Sequence, residues 1–263
     1  KVFPYKKGKA VPNFLRESHI SRLSHPNLVL IYHSQKFKNS MRNGVPFHIS
    51  YILMEYAPYG DFCDIISSKR IPFDEKLIRT YFHQFISGLE YLHKEGVAHL
   101  DIKPENILLG KDYLLKIADF DLCYIEGDTE IASHGTKNYR APELIGNRCE
   151  DPYAADIFSA GIFLFCMKAG NFPQSEESLI DGYNLLNLMF ENPDLFWETH
   201  TRLQNKGDDF FESSFRELFL GMTQIDPKKR YTIQDIKKSE WYNGTVYTSS
   251  ELKELMEEYL SKN

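Results

Sequence analysis

Residues 99–121 restrict the fold of this chain more than any other stretch. His99-Leu100-Asp101-Ile102-Lys103-Pro104-Glu105-Asn106 is followed by Ile107-Leu108-Leu109, a short turn, Leu115-Lys116-Ile117-Ala118 and then Asp119-Phe120-Asp121. A polar loop followed by two short apolar strands can bring Asp101, Lys103, Asn106 and Asp119 to one place. Those residue types suit phosphoryl transfer, which needs a carboxylate to orient a hydroxyl, a cation for the moving phosphoryl group and oxygen ligands for Mg²⁺.

The 263 residues leave room for one large domain or two small lobes. Hydrophobic residues make up 42% and charged residues 26%, which excludes a disordered or collagen-like chain. With 31 Lys and Arg against 37 Asp and Glu, the net charge is −6, which argues against a nucleic-acid partner. The longest apolar run, Ile157 to Met167, contains Ser159 and Gly161 and falls short of the ~20 residues that span a bilayer, so no membrane partner is expected. Cys63, Cys123, Cys149 and Cys166 lie far apart without metal-type pairing. Reduced thiols and a cytoplasmic location follow as expectations, with a nuclear one left open. Oligomeric state has no signal in the pattern.

Strand-like runs at Leu28–Tyr32 and His48–Tyr56 flank the hairpin-type dipeptide Asn43-Gly44, and the polar, basic stretch Gln35–Asn43 reads as an exposed loop. From residue 58 the period becomes helical. Leu77, Ile78, Tyr81, Phe82, Phe85, Ile86, Leu89 and Leu92 share one face, and Gly96 is placed to close that helix. Thr248 and Glu251 are spaced as a capping box ahead of the amphipathic set Leu252, Leu255, Met256, Tyr259 and Leu260. A small, partly β segment over 1–57 therefore precedes a mainly helical one over 58–247, with a terminal amphipathic helix at 248–263.

The 99–121 stretch resembles the catalytic loop and metal-binding motif of eukaryotic protein kinases. Further matches follow in family order. Ala141-Pro142-Glu143 resembles the end of the activation segment, 156–161 the buried helix under the catalytic loop, and Asp226-Pro227-Lys228-Lys229-Arg230 the late segment whose Arg pairs with that Glu. Lys103 and the Gly135-Thr136 pair point to the Ser/Thr branch, most similar to the calcium/calmodulin-dependent and AMP-activated-kinase-like groups. The resemblance implies an α+β, two-lobed protein kinase fold with a truncated β-rich N-lobe. It also implies transfer of the γ-phosphoryl group of ATP to protein hydroxyls. In that scheme Asp101 orients the substrate hydroxyl, Lys103 and Thr136 support the phosphoryl group and the loop, and Asn106 and Asp119 hold Mg²⁺. Lys1 anchors ATP with Glu17 as its helix partner, in an alignment that needs a one-residue gap after Glu17. Met54 guards the back pocket, the backbone of Glu55 and Ala57 meets adenine, and Asp61 meets ribose. Asp61 and Glu105 together suit a basic residue upstream of the phosphoacceptor. His99 and Phe120 are expected to pack, Asp156 to accept loop amides, and the terminal helix to pack.

Three departures accompany the resemblance. No Gly-rich loop precedes Lys1, so the chain is expected to be a fragment. Leu100 replaces the Arg that normally receives an activation-loop phosphate, so phosphorylation at Thr129 or Ser133 has a weaker way to order the loop. The acidic Glu126, Asp128 and Glu130 are expected to make the loop less dependent on it. Asp121 stands where the metal-binding motif has Gly, a replacement expected to hinder backbone rearrangement there and to tune metal preference. Leu100, Asp121 and the missing lid suit an alternative, a pseudokinase scaffold. A small-molecule phosphotransferase is opposed by Thr136 and the Ala-Pro-Glu segment.

Overall fold

Asn43 and Gly44 both adopt left-handed backbone, with φ of 52° and 78°. This two-residue turn joins β3 (Ile31–Arg42) to β4 (Val45–Met54) with the twist that antiparallel strands require. The computed structural model describes residues 1–6, 9–129, 131, 135–145, 149–173 and 185–261. Its first sheet has the order β2-β1-β4-β3, where β1 is Val2–Lys6 and β2 is Lys9–Ala10. Helix α1 (Pro12–His19) buries Phe14 and Glu17 against this sheet, and Phe14 meets Phe3 edge-on at 5.6 Å.

Two local expectations are corrected. Residues 35–42 form strand, because β4 supplies a partner for them from Lys38↔Ile49 to Arg42↔Val45. A register shift between Gln35 and Lys38 absorbs the irregular polar pattern, and the Ser50 hydroxyl donates to the Lys36 carbonyl at 2.5 Å there. Leu28-Val29-Leu30 lies outside β3. Leu28 bridges in parallel to Ile117, and the Val29 N–H donates to the Ile117 carbonyl at 2.9 Å, so this segment ties the first sheet to the body below.

Beyond Met54 the chain becomes helical. Asp61 caps α2 (Phe62–Ser68) and Asp74 caps α3 (Glu75–Lys94), each accepting a backbone N–H three residues on. Helix α3 ends at Glu95 with Gly96 at φ 73°, as its sequence position implies. Four two- and three-residue strands follow: β5 (Val97–Ala98), β6 (Ile107–Leu109), β7 (Leu115–Ile117) and β8 (Tyr124–Ile125). They pair antiparallel as β5-β8 and β6-β7. The remaining helices are α4 (Pro142–Ile145), α5 (Pro152–Ala169), α6 (Leu185–Glu191), α7 (Pro193–Leu203), α8 (Ser213–Met222), α9 (Ile233–Lys238) and α10 (Ser249–Ser261).

The apolar run 157–167 is the middle of α5, which is buried nearly all round. Phe163 and Phe165 are its aromatic anchors: Phe163 meets Phe62 and Phe85, and Phe165 meets Phe196, Phe211 and Phe219. No helix among the described residues is long and apolar enough to cross a membrane. The Thr248–Glu251 capping box forms in both directions, and α10 buries Leu252 and Met256. The fold is a two-lobed α+β arrangement, with a curled antiparallel sheet above a helical body.

Candidate active site

Asp156, fully buried on α5, shapes the polar loop. Its carboxylate accepts the N–H of His99 at 2.7 Å and of Leu100 at 2.8 Å, and lies 2.9 Å from His93 Nε2. These bonds hold Leu100 at φ 61°, a conformation unfavourable for an apolar side chain and fixed here by its surroundings. His99 is packed and fully buried: Nδ1 accepts the Asp101 N–H at 3.2 Å, so Nε2 carries the proton and donates to the Ala118 carbonyl at 2.9 Å.

Four donors hold the Asp101 carboxylate. One oxygen takes the Thr136 N–H (2.7 Å) and hydroxyl (2.9 Å); the other takes Asn106 Nδ2 (2.9 Å) and Lys103 Nζ (2.9 Å). Lys103 also donates to the Thr136 hydroxyl at 2.7 Å. Burial pushes the Asp101 carboxyl up, but Lys103 and Thr136 together outweigh it and hold it below the usual 3.8. Asn106 Nδ2 donates to Asp101 twice, to carboxylate and carbonyl, which leaves its Oδ1 as the acceptor for a further group.

Above this loop, Lys1 Nζ lies 2.8 Å from Glu17, 2.5 Å from Asp119 and 3.5 Å from Asp121. The geometry thus brings Lys1 and Glu17 together despite the gap in the alignment. Burial works to lower the Lys1 ammonium, but its bonds to Asp119 and Glu17 prevail and raise it. Glu17 moves against its own charge: burial pushes the carboxyl up, Lys1 pulls it back down, and neighbouring Asp119 and Asp121 add to the upward push, which prevails. The difference is one of depth, since Lys1 is 31% exposed and Glu17 only 2%.

Asp119 has φ 63°, whereas Asp121 is not among the left-handed residues. Asp121 therefore carries no left-handed strain in this conformation. Its carboxylate instead accepts Asn13 Nδ2 of α1 at 3.2 Å.

Glu55 uses its side chain structurally, pairing with Lys116 at 2.9 Å and accepting the Leu30 N–H at 3.2 Å. Its N–H donates to the Leu30 carbonyl, so the Glu55 carbonyl remains for a ligand. Ala57 follows on irregular backbone. One Asp61 oxygen is occupied as the α2 cap. Burial raises the nearby Cys63 thiol, and the fields of Glu105, Asp61 and Asp64 raise it further, so negative charge gathers at this edge. Thr129 is described; Glu130 and Ser133 lie outside the described residues. Glu143 meets Arg230 in a buried two-point pair, at 2.5 and 3.0 Å.

Sequence reasoning missed Asn13 and Arg16. Arg16 donates to the Cys123 carbonyl at 2.7 Å and to Asp128 at 2.9 Å. Their spacing was the available signal, because residues 13, 16 and 17 share one face of a helix.

The site is built of hard oxygen donors, Asp119 and Asn106, beside a cation and a bound carboxylate. No cluster of three or more His, Cys, Asp or Glu able to hold a metal occurs among the described residues. Two protein ligands suit Mg²⁺, which completes its shell with substrate phosphates and water.

A family model for the protein kinase domain matches residues 1–242. Among curated relatives, CBL-interacting protein kinase 26 of Oryza sativa subsp. japonica is 33% identical over 236 residues, covering 86% of this chain and 42% of that protein. Serine/threonine protein kinase OSK3 of Oryza sativa subsp. indica is 33% identical over 195 residues, covering 73% and 35%. CBL-interacting serine/threonine-protein kinase 8 of Arabidopsis thaliana is 32% identical over 241 residues, covering 90% and 48%. The chain thus spans less than half the length of these relatives.

Proposed function

This chain belongs to the protein kinase family, and from that premise we propose that it transfers the γ-phosphoryl group of ATP to Ser or Thr hydroxyls of proteins. The observation that carries this reading is the four-donor grip on Asp101, which aims a carboxylate held below its ordinary titration range from a rigid loop. Asp101 orients the acceptor hydroxyl and takes up its proton; Lys103, 2.9 Å away, faces the charge that develops on the transferring group. Thr136 bridges Asp101 and Lys103 and so couples the loop to the segment on which a substrate chain would lie. Lys1, steadied by Glu17, holds the nucleotide phosphates.

Asp119 and Asn106 would hold Mg²⁺, which neutralises phosphate charge when bound. The Glu55 carbonyl and Ala57 N–H would receive adenine, and the free oxygen of Asp61 would receive ribose. Asp61 and Glu105, with Asp64 beside them, favour a substrate carrying a basic residue before the phosphoacceptor. Four free cysteines support a reducing, cytoplasmic setting.

The scaffold alternative rests on Leu100, Asp121 and the missing lid, and the structure bears on the first two. Leu100 is buried and leaves the Asp101 geometry intact, and Asp121 joins the Lys1 cluster without displacing Asp119. The test is Asp119→Asn, followed by Mg²⁺-dependent phosphoryl transfer to a Ser peptide with an upstream Arg. Turnover should vanish; full activity in the variant would overturn the assignment.

A further inference from the structure

Asn13, Arg16 and Glu17 occupy one face of α1, and all three reach across to the segment that follows the catalytic strands or to its cation. Glu17 meets Lys1, Asn13 meets Asp121, and Arg16 meets both the Cys123 carbonyl and Asp128. Asp128 is itself built in: its carboxylate accepts the Ile125 N–H at 3.2 Å, and its N–H returns to the Ile125 carbonyl at 2.9 Å. This closes a turn around Gly127, at φ 96°. Ile125 in turn pairs with Val97 in the β5-β8 ladder, and the Glu126 N–H donates to the Gly96 carbonyl at 2.7 Å. An unbroken run of hydrogen bonds therefore leads from α1 through Arg16, Asp128 and β8 to β5, which opens directly onto His99 and Asp101.

The charges make the contact more than packing. Arg16 is 26% exposed and Asp128 32%, so the pair is partly shielded from water, and the Cys123 carbonyl adds a second acceptor to the same guanidinium nitrogen. Leu100, the residue before Asp101, is apolar and buried, and offers the following segment no donor. An aspartate is thus already in place, with no added charge, where a loop of this kind needs an anion facing a cation.

We propose that Arg16 is a positioning residue for the phosphotransfer site, assisted by Asn13. Its bonds to Cys123 and Asp128 hold α1 against segment 121–128, so that Glu17 stays on Lys1 without any phosphate on that segment. This inference rests on the kinase reading above and adds to it how the site is kept assembled.

The test uses the full-length protein, treated with phosphatase, as wild type, Arg16→Gln, Asp128→Asn and the exchanged pair Arg16→Asp with Asp128→Arg. Three quantities are measured: affinity for ATP with Mg²⁺, KM against kcat on a Ser peptide, and amide hydrogen exchange over residues 12–19. The dephosphorylated wild type should retain its activity. Each single variant should weaken nucleotide affinity about tenfold, in the range of site-to-site coupling energies, and speed exchange in α1; the exchanged pair should recover much of both. Asp128 lies in a surface turn, so its variant remains informative if Arg16→Gln folds poorly.

A lowered melting temperature with unchanged nucleotide affinity and unchanged α1 exchange would reduce Arg16 to a structural role and overturn the proposal. So would activity that disappears with phosphatase treatment. If the wild type transferred no phosphoryl group while the variants still loosened α1 and nucleotide binding, the latch would stand and the kinase reading would fall.

Discussion

Removing Glu143 should destabilise this protein more than removing almost any other charged side chain. Its partner Arg230 has a side chain with no exposure to solvent, and Glu143 itself is 9% exposed. The guanidinium makes a two-point pair with Glu143 and donates to the carbonyls of Ala154 (2.8 Å) and Gln224 (2.9 Å) while lying 5.2 Å from the centre of the Phe158 ring. Glu143→Ala leaves these carbonyls in place but strands a positive charge away from water. Breaking such a buried pair costs about 3–5 kcal/mol. For a chain of this size, with roughly 2–4 °C per kcal/mol, the melting temperature should fall by about 6–20 °C. Urea unfolding followed by tryptophan fluorescence measures the loss directly, because Trp197 and Trp241 are both buried in the helical body. The double variant Glu143→Leu with Arg230→Met removes both charges and should recover at least half of the loss. A single-variant loss under about 1 kcal/mol would mean that the pair behaves like an exposed surface bridge and would refute the reasoning.

Asp101→Asn should lower the transfer rate by about 10²–10⁴ while leaving ATP affinity nearly unchanged; an equal loss of affinity would argue against its role as the hydroxyl-orienting group. Because Asp101 titrates below its ordinary 3.8 in the folded state, its stabilising contribution is complete above that pH and is lost as pH falls through and below it. The stability difference between wild type and Asp101→Asn should therefore shrink below pH 3.8 in thermal melts taken from pH 6 downward. Gly135→Ala should impair catalysis with little effect on the helical core, since the added methyl would overlap the Leu100 carbonyl at the junction of Thr136 and the catalytic loop. Matched circular dichroism with lost turnover would support this; normal turnover would show that the junction yields.

Legibility in the sequence followed the range of the interactions. Helix α3, the Asn43-Gly44 turn and the Thr248 cap could be read because periodicity, turn chemistry and capping act within a few residues. The candidate site set Asp101, Lys103, Asn106 and Asp119 could be read for a similar reason, being packed into one short loop-and-strand stretch. Strand 35–42 was hidden because its polar side chains carry no burial signal, and only pairing with β4 across the hairpin makes it a strand. The consequence of Asp121 was also hidden. Local reasoning addressed only the ease of backbone rearrangement at Asp121, whereas the folded chain puts the left-handed conformation at Asp119 and gives Asp121 a bond to Asn13, 108 residues earlier. Arg16 and Asp128, 112 residues apart, meet only when α1 docks beside β8. Residue type and local spacing thus determined which chemistry the chain carries. Tertiary structure decided how that chemistry is held, because charges and hydrogen bonds act through distance in space, and the chain sets that distance only after it has folded.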